Sequence, residues 1–167
     1  MFLLRLLAFI FLLTFLLPLH AAELALQRAT LTVNDMDRSI AFYTEVIGMQ
    51  LASRSSYDTP ALRTMFHLDE GSEPELALLD ASEAQPRALA LVAATGREVD
   101  AAGNRLHAPA LVLNSTDINA LHARAEAAGV EVLLPPTPLN DFSGNPFGRE
   151  AAYVDPDGVR VVVFQYD

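Results

Sequence analysis

The residue types that most often carry out chemistry are few in this chain and far apart. There is no cysteine, so thiol catalysis and thiolate metal sites are excluded. None of the serines lies in a G-x-S-x-G elbow, and the chain has neither a G-x-G-x-x-G turn nor a phosphate loop. His67, His107 and His122 are isolated from one another, and Asp155 and Asp157 belong to a D-P-D-G turn signal. No motif therefore assigns a reaction or a catalytic residue.

The first 22 residues are predicted to be a secretory signal. Arg5 precedes an apolar run from Leu6 to Leu19, Pro18 breaks its helix, and Ala21 and Ala22 provide a small-residue cleavage site. The run is shorter than the about twenty apolar residues that a membrane span needs. An uncleaved amino-terminal anchor is the alternative. In either case we expect an exported protein, periplasmic or secreted, with no membrane attachment once the signal is cleaved.

The remaining residues, 23–167, are strongly acidic. They contain ten arginines, no lysine and 21 acidic residues, which gives a formal net charge of −11. Such a surface repels phosphate backbones, so nucleic acid is not an expected partner. The charge also favours solubility.

Two segments repeat the order strand, cap, helix and stop. In the first, an alternating strand leads to Asp35 as the helix cap and the helix stops at Gly48; in the second, an apolar strand leads to Asp117 and the helix stops at Gly129. The two caps are 82 residues apart and the two glycines 81. This agreement indicates an internal duplication.

Further elements are predicted on both sides of the repeat. Strands are expected at 49–56, 61–68 and 75–80 in the first module, and 87–93 fits an extra strand or a helix turn. In the second module, strands are expected at 106–115, 130–134, 149–154 and 159–166, and a helix at 117–128. The intervening segment 135–148 contains four prolines and is typical of a lid or binding loop. The predicted organisation is one domain at 23–167, with module one at about 24–81, a linker at about 82–105 and module two at about 106–167.

Three stretches carry a resemblance to a known family: VNDMDRSIAFYTEVIGM, EAAGVEV and GREAAYVDPDGVRVVVFQ. They resemble the vicinal oxygen chelate superfamily, which includes glyoxalase I, bleomycin-resistance proteins, extradiol dioxygenases and fosfomycin-resistance enzymes. The resemblance implies an α+β fold in which two β-α-β-β-β modules form a curled mixed sheet around one cleft. It is compatible with a monomer or a homodimer, because members either fold both modules into one cleft or swap them between chains.

The resemblance also predicts where a metal would be bound. In metal-dependent members, the ligands come from the first and last strands of each module. By motif position they fall on Arg28, Ala110, Val162 and either Glu75 or Ala77. Because Arg, Ala and Val have no lone pair to give a metal, we expect no metal cofactor. The alternative is one divalent metal ion bound in a shifted register that uses His107, His67 or Glu75.

Side-chain alternation predicts what the cleft presents instead. If Arg28 faces inward, so does Thr30, and by the same parity so do Asn114, Arg160 and Phe164 in the second module. A mostly apolar cavity with these polar groups suits a small organic ligand that carries an anionic group. Alternatively, Arg28 only solvates the start of its strand beside the predicted cleavage site.

Two functions follow as hypotheses. The favoured one is metal-free binding or sequestration of a small molecule, as in the bleomycin-resistance branch. The other is a metal-dependent lyase, isomerase or dioxygenase of the glyoxalase type. Tyr57, Phe142 and Phe147 are additional aromatic candidates for the cavity, from predicted loops.

Overall fold

The computed structural model describes residues 26–94, 110–141 and 143–167. The predicted signal at 1–22, the polar segment 95–105, His107 and Phe142 lie outside the described residues. Within the described ranges, no helix has the length and apolar character to span a bilayer.

The described residues form two modules with the same order of elements. The first contains β1 (Ala29–Thr32), α1 (Met36–Ala41), a π-helical segment (Phe42–Ile47), β2 (Gln50–Ser56), α2 (Pro60–Phe66), β3 (Pro74–Asp80) and β4 (Leu89–Ala94). The second contains β5 (Ala110–Asn114), α3 (Ile118–Ala127), β6 (Val132–Asn140), β7 (Pro146–Val154) and β8 (Arg160–Tyr166). Each module folds into one mixed sheet, ordered β1-β4-β3-β2 and β5-β8-β7-β6. The predicted fold class is confirmed, and the two sheets do not close on each other.

The spacing from the helix cap to the glycine that follows the helix differs by one residue between the two modules. Asp35 and Asp117 each cap a helix by accepting a hydrogen bond from the amide three residues on. The distance from Asp35 to Gly48 is 13 residues, whereas from Asp117 to Gly129 it is 12. The first helix accommodates the extra residue by winding Phe42–Ile47 as a π-helix, in which Gly48 donates to the carbonyl five residues back. Both ends of the duplicated helix are therefore preserved.

The core lies between the helices and one face of each sheet, and it is continuous across the modules. Alternate strand residues are buried there: Ala77, Leu79, Leu89, Leu91, Ala151, Tyr153, Val161 and Val163. The helices contribute Tyr43, Val46, Ile118 and Leu121 to the same cluster. We call the opposite face of each sheet, turned away from α1 and α3, the far face.

The D-P-D-G turn between β7 and β8 is buried against the first helix. The Tyr43 hydroxyl donates to Asp155 Oδ2 at 2.8 Å, and the Ser39 hydroxyl donates to Asp157 Oδ2 at 2.8 Å. The backbone N–H of Asn34 donates to Asp157 Oδ1 at 2.9 Å. Burial raises the pKa of Asp155 and that of Tyr43. A turn predicted to close a hairpin thus also joins the two modules.

The predicted strand at 61–68 is wrong, because this segment contains helix α2. Thr59 caps the helix, accepting a hydrogen bond from the Leu62 amide at 3.1 Å, and Pro60 occupies the first turn. Proline at the first position and a threonine before it are helix-start signals. These local signals outweigh the apolar content that favoured a strand.

The predicted loop at 135–148 is mostly strand. β6 continues to Asn140 and β7 begins at Pro146, so the loop is reduced to a short hairpin connection. The register between β6 and β7 shifts between Leu134 and Thr137, which places Pro135 and Pro136 where ladder pairing is interrupted. The prolines are therefore accommodated within the strand.

The segment at 87–93 is a strand, as one of its two interpretations allowed. β4 lies between β1 and β3 and pairs in parallel with β1. The first sheet thus extends to Ala94, beyond residue 81 where the first module was expected to end.

Candidate ligand-binding surface

The far face of the second sheet is accessible. On β8, Val161 and Val163 are fully buried in the core, whereas Arg160, Val162 and Phe164 alternate with them and are half-buried. On the neighbouring β5, Val112 is 59% exposed. The second sheet therefore presents apolar side chains that the helices do not cover.

Three aromatic rings follow one another on this face, and we call them the aromatic stack: Phe164, Tyr166 and Phe147. The ring centroids of Phe164 and Tyr166 are 6.1 Å apart with planes 5° from parallel, and those of Tyr166 and Phe147 are 6.2 Å apart with planes 13° from parallel. Tyr166 is 57% exposed and Phe147 41%. Because the rings are nearly parallel and accessible, a planar molecule can pack along them.

Gly148 allows the backbones of β7 and β8 to approach closely beside the aromatic stack. It is the cross-strand partner of Tyr166, and a Cβ atom there would approach the Gln165 carbonyl oxygen to 2.5 Å. Only glycine fits at this point between β7 and β8. Phe147, expected in a loop, lies in β7 beside this glycine.

The far face of the first sheet differs. Ala90 and Val92 pair with Thr30 and Thr32, yet they are only 2% and 1% exposed. Thr30 is exposed, and Arg28, which immediately precedes β1, is half-buried. This face is therefore covered at β4, whereas Thr30 on β1 and the residues of the other edge strand, β2, are exposed.

The structure separates the five predicted ligand-binding residues into two groups. Asn114 and Phe164 are register partners on β5 and β8, and Arg160 is four residues before Phe164 on the same side of β8. At the usual rise per residue, Arg160 and Phe164 are about 13 Å apart along the strand. Arg28 and Thr30 belong to the other sheet.

A cavity of about 350 Å³ lies where the two modules meet. Asn114 lines it, together with Ser82 and Gln85 from the connection between β3 and β4. Asn114 is therefore accessible both from this junction and from the far face.

Two residues of this surface, Glu150 and Tyr166, are absent from the sequence-based candidates. Glu150 lies on β7 directly opposite Phe164, and both are half-buried. Alternation along the predicted strand 149–154 places the Glu150 side chain on the opposite face of the sheet from buried Ala151. That signal was present in the sequence, but the pairing with Phe164 required the register of β7 against β8.

The expected position of the fourth metal ligand on β3 is wrong, because β3 is not the last strand of its module. Glu75 accepts a hydrogen bond from Arg54 Nη2 at 2.9 Å, and Ala77 is fully buried in the core. The last strand is β4. There, Ala90 corresponds to Val162, because their partners Thr30 and Val112 each precede a helix cap by five residues.

The four corresponding positions are Arg28, Ala90, Ala110 and Val162. A protonated guanidinium and three hydrocarbon side chains do not fit a divalent metal ion, which needs oxygen, nitrogen or sulfur lone pairs. In the part of the chain that the structure describes, no group of three or more His, Asp or Glu side chains could hold a metal ion.

The two histidines that the structure describes have other roles. His67 ends helix α2 in a left-handed conformation, with φ of 51°. His122, on α3, places Nδ1 3.3 Å from the Tyr153 hydroxyl and packs on that ring. It is half-buried within the second module.

Two tandem β-α-β-β-β modules, each with one four-stranded mixed sheet, match the glyoxalase fold. The chain belongs to the Glyoxalase/Bleomycin resistance protein/Dioxygenase superfamily, whose sequence profile matches residues 25–163. The predicted family is thereby confirmed.

Several solved structures share the fold. A mutant of glyoxalase I from Zea mays has 22% identity and a TM-score of 0.60, and the match covers 83% of this chain. It covers 44% of the maize chain, so this chain spans less than half the length of that protein. A glyoxalase family protein from Bacillus cereus has 16% identity and a TM-score of 0.69, covering 89% of this chain and 97% of its own. TnmS3, an antibiotic binding protein from Streptomyces sp. CB03234, has 23% identity and a TM-score of 0.51, and the match covers 89% of this chain and 100% of TnmS3. At these identities the likeness shows the fold. No curated protein matches the chain.

Proposed function

We propose that this chain is an exported member of the superfamily that binds a small organic ligand on the far face of its second sheet without a metal ion. The ligand has a planar aromatic part and an anionic group. Residues 1–22 direct export and are removed, and residues 23–167 act as one domain in the periplasm or outside the cell.

The observation that carries this proposal is the accessible aromatic stack. Exposed aromatic side chains in contact with one another leave apolar area in water, and covering that area with a ligand is favourable. Rings with parallel planes match a flat partner better than an aliphatic one. Asn114 beside Phe164 adds a group that can both donate and accept hydrogen bonds.

Arg160 supports the anionic part of the ligand. Its side chain is on the same face as Phe164, and a guanidinium binds a carboxylate or phosphate through two parallel hydrogen bonds. The about 13 Å between Arg160 and Phe164 along β8 requires an elongated molecule or a linker between the flat and the charged parts. Arg28 and Thr30 serve the same ligand if it reaches the first sheet.

Binding is favoured over a reaction of the glyoxalase type by the chemistry of the four metal positions. They carry Arg28, Ala90, Ala110 and Val162, none of which can ligate a metal. TnmS3, which has the same fold, is an antibiotic binding protein. Retention of a small molecule needs only the surface described above.

A thermal-shift titration tests the proposal. The chain lacking residues 1–22 is titrated with an aromatic acid that has a linker between ring and carboxylate, such as 6-(2-naphthyl)hexanoate. A ligand that binds only the folded state raises the melting temperature with concentration. We expect Arg160→Ala to weaken binding at least about tenfold, the typical cost of losing a charge-assisted hydrogen bond. Phe164→Ala should weaken binding by a similar factor, because the apolar area of the ring is lost. Arg149→Ala is the matched control, because Arg149 donates to Asn119 on the helix side of the same sheet. Equal effects of all three substitutions would contradict the proposed surface.

Metal analysis tests the metal-free part separately. The same protein is incubated with Zn²⁺, Ni²⁺, Mn²⁺ or Fe²⁺, desalted and assayed for bound metal. We expect no stoichiometric ion, whereas one tightly bound equivalent would overturn this part of the proposal.

A further inference from the structure

Glu150 contributes a carboxylate to the far face of the second sheet. It pairs with Phe164 across β7 and β8 and with Thr137 across β6 and β7. Its side chain is half-buried, and within the described residues it forms no side-chain hydrogen bond or ion pair. A partly desolvated carboxylate without a partner is unfavourable, and a positively charged ligand group would relieve that cost.

The neighbours of Glu150 favour a cation in particular. Directly opposed residues of antiparallel strands have Cβ atoms about 5 Å apart, so the side chains of Glu150 and Phe164 leave the sheet next to each other on the same face. The faces of aromatic rings also attract cations. A cationic group placed between Glu150 and the aromatic stack is therefore stabilised from two sides.

We infer that Glu150 and the aromatic stack bind a protonated amine carried by a planar aromatic group. This inference rests on the proposed function and narrows its ligand class. With Arg160 four residues before Phe164, the preferred ligand is amphoteric, with an amine at the aromatic end and an acid about 13 Å away. Glu150 determines specificity for the amine, while the aromatic stack supplies affinity for the flat ring.

Three naphthalenes of the same ring size and different charge test this inference: 2-naphthylmethylamine, 2-naphthylmethanol and 2-naphthoate. Isothermal titration calorimetry gives the Kd of each for the wild-type chain and for Glu150→Gln, which keeps the shape and removes the charge. We expect the wild type to prefer the amine over the alcohol, and Glu150→Gln to weaken amine binding by about tenfold, as expected for one charge-assisted contact. Binding of the alcohol should be unchanged.

Glu45→Gln provides the matched charge control, because Glu45 is exposed on the π-helical segment on the other side of the molecule. It should leave all three affinities unchanged, whereas Phe164→Ala should weaken all three. Equal binding of amine and alcohol by the wild type, or an unchanged preference in Glu150→Gln, overturns the inference. Binding that depends on Phe164 but not on Glu150 overturns this inference alone, and absence of binding by all three compounds overturns the proposed function as well.

Discussion

The two modules have the same order of elements but use their far faces differently. Val92 of β4 and Phe164 of β8 occupy corresponding positions, since their parallel partners Thr32 and Asn114 each precede a helix cap by three residues. Val92 is 1% exposed, whereas Phe164 is half-buried and stacked on Tyr166. The two modules thus share a scaffold, but the far-face residues of β4 are buried and those of β8 are half-buried.

The hairpin turns before the last strands also differ. In the second module, Asp155 and Asp157 are buried and accept hydrogen bonds from the first helix. In the first module, the turn between β3 and β4 is largely exposed, and Asp80 accepts a local hydrogen bond from the Arg87 amide at 2.6 Å. Among the described residues, the turn of the second module is therefore the one of the two that forms hydrogen bonds to the other module.

Substitution of the buried turn should have the largest effect. Asp155→Ala removes the acceptor of the Tyr43 hydroxyl and of the Asp157 and Val159 amides. We expect the free energy of unfolding to fall by about 3 kcal/mol, because buried donors lose a charged partner. Asp80→Ala, in the exposed turn, should cost less than about 1 kcal/mol. Urea unfolding measures both, and equal losses would contradict the different roles of the turns.

The corresponding pair Val92 and Phe164 separates stability from binding. Val92→Ala should lower the free energy of unfolding by about 2 kcal/mol, because two buried methyl groups are removed and a cavity remains. It should leave the affinity for 6-(2-naphthyl)hexanoate unchanged. Phe164→Ala should cost about 1 kcal/mol of stability, since its ring is only half-buried, but should weaken binding strongly. A stability loss at Phe164 as large as that at Val92 would show that the far faces are alike.

Helix α2 has no counterpart in the described part of the second module, and its cap can be removed alone. Thr59→Ala deletes the side-chain acceptor of the Leu62 amide and should cost about 1 kcal/mol. Thr64→Ala, an exposed change in the same helix, should cost less than about 0.5 kcal/mol. Hydrogen exchange should be faster at the α2 amides in the Thr59 variant. Faster exchange throughout both sheets would contradict a local role for α2.

The smallest expected effect is a pH dependence with opposite sign at two aspartates. Burial raises the pKa of Asp155, so the folded chain binds a proton there more tightly than the unfolded chain does. The stability of the wild type relative to Asp155→Asn should therefore rise as the pH falls from neutrality, and level off below the unfolded-state pKa of about 3.9.

Asp58 provides the opposite case. The hydrogen bonds from Arg63 lower the pKa of Asp58, so its contribution is present at neutral pH and is lost as the pH falls through the lowered value. The wild type should thus lose stability relative to Asp58→Asn on acidification. Urea unfolding midpoints between pH 7 and pH 3 test both, and parallel curves for wild type and variant would contradict the sign at that residue.

Much of the fold is determined by local chemistry that can be recognised in the chain. Asp35 and Asp117 cap helices, Gly48 and Gly129 end them, and D-P-D-G closes a hairpin, because each depends on hydrogen bonds or backbone angles within a few residues. These features sufficed to predict the repeated order of elements, the family and the fold class. Thr59 and Pro60 are equally local signals for the start of a helix. The prediction of a strand at 61–68 did not take them into account.

Tertiary structure decided which strand ends the first module, which far face is accessible and what lies beside Phe164. Glu150 meets Phe164 only through the register of β7 against β8, and Tyr43 meets Asp155 across 112 residues of chain. Alternation gives a side chain's face but not its neighbour, and apolar pattern does not distinguish Val92, which is covered, from Val112, which is exposed. Burial and strand pairing are properties of the packed sheets. The residues of the candidate site are therefore brought together by tertiary structure and not by the local sequence.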